Sequence, residues 1–176
     1  MPDNLLLRIA ARLDNFSEAT CRLTAWLALL LVVVTFSVVV LRYLFEIGSI
    51  ALQESTLYLH ASLFMLGAAY TLKADAHVRV DIFYRKLSAF GKALVNLLGT
   101  LLLLLPFCSF LAWISWDYVS IAWTLREGSR EAGGLPLVYL LKTLIPLSAL
   151  LLAIQGISLA FHSLVKVIDA ATGKHG

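Results

Sequence analysis

Residues 53–81 read QESTLYLHASLFMLGAAYTLKADAHVRVD. Glu54 opens a run without charge that lasts to Lys73, and a polar string follows: Asp75, His77, Arg79 and Asp81. At about 1.5 Å per residue the uncharged run crosses most of a ~30 Å hydrocarbon core. Only a helix satisfies such a backbone by itself in lipid. The stretch therefore reads as one short membrane-spanning helix with a polar anchor at each end. Barrel strands would alternate apolar and polar residues, and here the apolar run is continuous.

Working outward, the same logic finds three more spans. No charge lies between Arg22 and Arg42, none between Lys92 and Asp117, and a fourth apolar run follows Pro136 after Gly133-Gly134. The expected spans are about 23–44, 50–73, 92–123 and 136–166. Ser49 is placed to cap the second helix. Pro106 is expected to kink the third, because proline removes a backbone donor. Residues 1–22 mix Arg8, Arg12, Arg22, Asp3, Asp14 and Glu18 with Leu5, Leu6, Ile9, Leu13 and Phe16 at helical spacing. This predicts a separate amphipathic helix at the interface. A second one is expected where Ile82, Phe83, Leu87 and Phe90 alternate with Arg85, Lys86 and Lys92, with anionic membrane lipids as partners. No small-x-small site follows the first apolar run, so signal cleavage is not expected.

Composition agrees. The chain has 176 residues, 60% hydrophobic and 14% charged, with a mean hydropathy of +0.87. The formal net charge is only +3, and no basic cluster suggests nucleic acid. Cys21 and Cys108 form no C-x-x-C and read as two free apolar thiols. The basic residues Arg8, Arg12, Arg22, Lys73, Arg79, Arg85, Lys86, Lys92, Lys166 and Lys174 would share one side. Arg42, Arg126, Arg130 and Lys142 would take the other. Basic loops stay cytoplasmic, which puts both termini inside. The fold class is all-α integral membrane: four transmembrane helices plus amphipathic interfacial helices in a single domain, 1–176.

Each polar residue has a structural and a functional reading. Glu54 is a helix N-terminal acid favoured by the dipole, or an anchor to a partner, with Arg42 as an intrachain counterpart. Tyr58 shares its stripe with small residues that permit close helix approach. His60 and His162 suggest a haem pair, but the topology puts them at different depths. Asp75, His77, Arg79 and Asp81 read as a self-paired corner. Gln155 stands in a stripe with Ser148, Ser158 and His162, and interhelical hydrogen bonding is its commoner use. No catalytic residue, metal site or cofactor is expected. A membrane-anchored electron-transfer subunit, using haem or quinone, is the alternative.

Arg42-Tyr43, Glu54, Gly67-Ala68-Ala69 and the H-x-R-x-D string at His77–Asp81 together resemble the small membrane subunit of tripartite ATP-independent periplasmic (TRAP) transporters. The Gly134-Leu135-Pro136, Lys142, Pro146 and Gln155-Gly156 positions are similar to its fourth helix. The resemblance implies a noncatalytic scaffold in the bacterial inner membrane. It implies two protein partners: a large, sodium-coupled, elevator-type membrane subunit and a periplasmic solute-binding protein. The substrates implied are organic acids. The chain is then expected to act as a separate polypeptide. On this reading Arg42, Glu54, Tyr58, His77, Arg79, Asp81 and Gln155 are candidate interface or structural residues. Arg126, Glu127, Arg130 and Glu131 are candidates for contact with the binding protein.

Overall fold

The computed structural model describes residues 2–77 and 84–172. Five α-helices follow in order: α1 (Pro2–Leu44), α2 (Ile50–Lys73), α3 (Ala89–Gly99), α4 (Leu105–Thr124) and α5 (Val138–Ala171), with a π-helical turn at Thr100–Leu104 between α3 and α4. Among the described residues there is no strand.

Among the described residues, three stretches are long and apolar enough to cross a membrane: Leu5–Leu44, Ala89–Thr124 and Val138–Ala171. This differs from the four expected. Residues 50–73 do form a helix of 24 residues, but Gln53, Glu54, His60 and Lys73 lower its apolar content. Two further expectations are corrected. Residues 1–22 are not a separate interfacial helix; they are the first half of α1, which runs unbroken for 43 residues. No proline or glycine interrupts the chain between Asn4 and Leu44, so nothing stops the hydrogen-bond ladder. At about 64 Å, α1 is twice as long as a ~30 Å core. Phe90 and Lys92, expected on the second interfacial helix, belong to α3; Ile82 and Phe83 lie outside the described residues.

The helix ends follow local chemistry. Ser49 Oγ accepts from the Leu52 amide at 3.4 Å, the cap expected for α2. Ser88 Oγ accepts from the Gly91 amide at 3.2 Å and caps α3. At the end of α2, Asp75 takes a left-handed conformation (φ 54°). The Ala76 amide then reaches the Thr71 carbonyl and the Asp75 amide the Leu72 carbonyl, a Schellman closure. Arg126 (φ 46°) closes α4 in the same way, through Glu127 to Ala122 and Arg126 to Trp123. Before Pro106 the Leu105 amide bonds to the Thr100 carbonyl, five residues back. The disturbance expected at this proline thus takes the form of a wide turn in the helix just ahead of it.

Residues 1–19, 69–110 and 149–176 form one compact unit, and residues 20–68 and 111–148 another. In the first, the buried positions are mostly small: Ala10, Ser17, Ala69, Ala93, Thr100, Cys108, Ser158 and Ala160. The second buries Thr24, Ser115, Val119, Ala122 and Ser148. Both cysteines are free thiols. Small residues at helix contacts let backbones approach when lipid supplies no hydrophobic drive. Gly156 is the tightest such place in the first unit. A Cβ there would lie 3.0 Å from a Leu104 methyl, 3.4 Å from one of Leu105 and 3.5 Å from that of Thr100. Gly156→Leu should therefore destabilise the detergent-solubilised protein by about 1–3 kcal/mol, read as a lower thermal midpoint. Gly67→Ala, at a position with open space around it, should leave that midpoint essentially unchanged.

Candidate functional site

The carboxylate of Glu54, in the second turn of α2, reaches across to the loop between α4 and α5. Its Oε1 accepts from the Ser129 hydroxyl, and its Oε2 accepts from the Leu135 amide at 2.6 Å. The loop is shaped to receive it. Ser129 and Leu135 are themselves joined through the Ser129 amide and the Leu135 carbonyl at 2.9 Å. Gly133 has φ 82°, a conformation natural to glycine. At Gly134 a Cβ would sit 2.5 Å from Ser129 Cβ and 2.9 Å from Glu54 Oε1. Only glycine lets the loop backbone close on the acid. Arg42, the partner expected for Glu54, makes no ion pair with it among the described residues; it is exposed at the end of α1.

Around this clasp the α4–α5 loop is held by charges engaged within the chain. Lys142 pairs with Glu127 at 2.5 Å and lies 3.9 Å over the ring of Tyr118. Arg126 sits 5.6 Å over Trp123 and 5.5 Å over Tyr139. Trp123 in turn donates to Thr143 Oγ1 at 2.8 Å. The cation–π contacts offset the roughly 1 kcal/mol that a left-handed arginine costs. Of the four loop residues expected to meet a partner, Arg126 and Glu127 are thus engaged within the chain. Arg130 and Glu131 are exposed.

Tyr58, one turn after Glu54, lines a second concave site with Ser62, Leu140, Leu141, Thr143, Leu144 and Leu147. Its hydroxyl is buried with no partner among the described residues. His60 is exposed and stacks on Phe64 at 6.5 Å.

In the first unit the organising group is Asp14, one of the charges of the amphipathic segment 1–22. Asp14 Oδ1 accepts from Gln155 Nε2 at 2.9 Å and from the Ser158 hydroxyl at 2.6 Å. Asp14 Oδ2 lies 3.0 Å from His162 Nε2. Ser158 also reaches the Ala10 carbonyl at 3.1 Å. Lys73 Nζ donates to the Asp14 carbonyl at 3.2 Å and pairs with Glu18 at 2.9 Å. The polar stripe of α5 is thus spent on α1, and His162 is bound to a carboxylate. Ser148 bonds to its own helix, at the Ile145 carbonyl. His77 is exposed; Arg79 and Asp81 lie outside the described residues. No group of three or more metal-ligating side chains occurs among the described residues.

Asp14, Ser129, Gly134 and Lys142 are the residues missed as parts of a site. A usable signal existed for Asp14: Ala10, Asp14 and Ser17 recur at i, i+4 and i+7, a small polar stripe about a quarter turn from the apolar one. Nothing local pairs Ser129 with an acid 75 positions earlier.

A family model described as "Tripartite ATP-independent periplasmic transporters, DctQ component" matches residues 31–166. No curated protein and no solved structure matches the chain.

Two outcomes follow from the geometry. Gly134→Ala should force the loop off Glu54, read as faster hydrogen exchange at the Leu135 amide; Ser129→Ala, which keeps that amide bond, should give a smaller effect. Asp14→Ala should cost about 1–3 kcal/mol, since it strands the buried Gln155 amide donor, while Ser158 keeps the Ala10 carbonyl. Asp14→Asn should be milder in the same unfolding measurement, because an amide oxygen still accepts.

Proposed function

The chain belongs to the DctQ component family of tripartite ATP-independent periplasmic transporters, and we propose that within such a transporter it is a noncatalytic scaffold. It is a small transport subunit with three helices long and apolar enough for a membrane. On our reading α2 also spans, giving four spans in one domain, 1–176, with both termini in the cytoplasm and the α4–α5 loop in the periplasm. The partner is a large elevator-type membrane subunit, coupled to sodium and carrying organic acids. A periplasmic solute-binding protein delivers them.

One observation carries the scaffold reading. Several ionisable side chains of the helices are consumed by the chain itself: Asp14 on α5, Glu54 on the α4–α5 loop, Lys142 on Glu127 and Lys73 on α1, while His60 and Asp117 are exposed. A path for a charged solute would need such groups turned toward the solute. Large apolar side chains face outward instead, among them Trp26 at 70% exposure, Phe36 at 68% and Trp113 at 79%. Such surfaces suit lipid and a partner subunit. The electron-transfer reading gains no support from the family match.

Within this reading Arg130 and Glu131 are the loop residues open to the binding protein. Arg42 and His77, both exposed, and Tyr58 stay candidates for the subunit interface. Glu54→Ala should weaken both uptake and co-purification with the large subunit, by releasing the loop it holds. Wild-type uptake with wild-type co-purification would remove Glu54 from the role. In the same preparation, Arg130→Cys should be labelled by an impermeant thiol reagent from the periplasmic side; labelling only from the cytoplasm would reverse the orientation.

A further inference from the structure

The first unit contains a cavity of about 610 Å³ that the scaffold role does not use. It is lined by Leu72 and His77, by Tyr84 and Leu87, by α3 and the π turn through Val95, Asn96, Gly99, Thr100 and Leu104, and by Leu152 and Leu159 of α5. The lining is graded. Asn96, Thr100 and Leu104 fall at i, i+4 and i+8, so one wall descends about 12 Å from polar to apolar. At the polar end Asn96 Nδ2 donates to the Tyr84 oxygen at 3.1 Å. The Lys92 ammonium lies 5.7 Å over the ring of Tyr84, and Lys86 is exposed two residues on.

We propose that this groove binds one anionic phospholipid. Its acyl chain runs along Val95, Gly99 and Leu104 toward Leu152 and Leu159. Its phosphate sits at the Tyr84–His77 end, drawn by Lys86 and Lys92. Three observations converge on a lipid. The volume lies in the ~300–1,000 Å³ range of small-molecule sites. At this volume the groove takes one of the lipid's two acyl chains and part of its headgroup, and the second chain lies outside it. Lys92, over the ring of the lining residue Tyr84, brings a cation to the polar end that complements a phosphate, as basic pockets between membrane helices do. The π turn lies in the wall itself, where such turns often mark functional sites. Gly99 keeps that wall low: an added Cβ there meets no atom within 4 Å. This inference goes beyond the scaffold reading and needs only a chain that resides in a membrane.

The test is native mass spectrometry of the full chain purified with its large membrane subunit in mild detergent, titrated with phosphatidylglycerol or phosphatidylcholine. One phosphatidylglycerol should stay on the small subunit after the complex is dissociated in the gas phase. Gly99→Leu, which fills the groove without a clash, should abolish that retention. Lys86→Gln and Lys92→Gln should each lower the preference for phosphatidylglycerol over phosphatidylcholine about fivefold. Wild-type lipid retention in Gly99→Leu would overturn the proposal. So would loss of the large subunit from Gly99→Leu with lipid retention intact, which would assign the groove to a protein. Should Gly99→Leu fail to fold, the lysine variants decide alone, and an unchanged lipid preference in both would overturn it.

Discussion

Asp14 collects hydrogen bonds from Gln155 and Ser158 and a close approach from His162, all on α5. The packing of α1 in the first unit follows from that demand. Asp14 is largely withdrawn from water, with 19% of its side chain exposed, so most of its partners must come from the protein. Satisfying Asp14 fixes which face of α1 turns inward: the face of Ala10, Asp14 and Ser17. Leu5, Ile9 and Phe16 are then left exposed. In water the apolar stripe would be the buried one. In a membrane, burial of leucine against protein gains little over burial against lipid, and polar bonding with close small-residue packing decides the register.

Glu54 exerts the same demand in the second unit, on a loop. A carboxylate binding one hydroxyl and one amide ties α2 to residues 129–135, and Gly134 is the position that lets the backbone come so close. The adjoining charges are engaged within the chain for the same reason. Lys142 takes Glu127 and the face of Tyr118, and Arg126 takes Trp123 and Tyr139. A loop rich in charge is thereby held in one shape, with Arg130 and Glu131 presented outward. For the scaffold role proposed above, a defined loop surface matters more than a reactive one.

The same physics separates the two ends of the opening stretch. Glu54 is bound within the chain at one end of α2, and Lys73 at the other end is bound to Glu18 and to the Asp14 carbonyl. Both are charges at the limits of an apolar helix, and each is neutralised by a different part of the sequence. Tyr58 between them keeps a buried hydroxyl without a partner. This is the kind of polar atom that a neighbouring subunit could satisfy at little entropic cost.

The sequence by itself determined the class and most of the helices. Long uncharged runs admit only one backbone solution in lipid, so α1, α4 and α5 were legible from Arg22–Arg42, Lys92–Asp117 and the run after Pro136. Local rules also placed the Ser49 cap and the break at Pro106, and the motif residues identified the family. The tertiary structure alone decided which polar residues meet. Asp14 and Gln155 are 141 positions apart and Glu54 and Ser129 are 75 apart, and no local periodicity encodes such pairs. It also decided that residues 1–22 continue α1. Amphipathic spacing reports that a helix has two faces, but which face is buried depends on what the neighbouring helix offers. Here α5 offered Gln155, Ser158 and His162, and the polar face won.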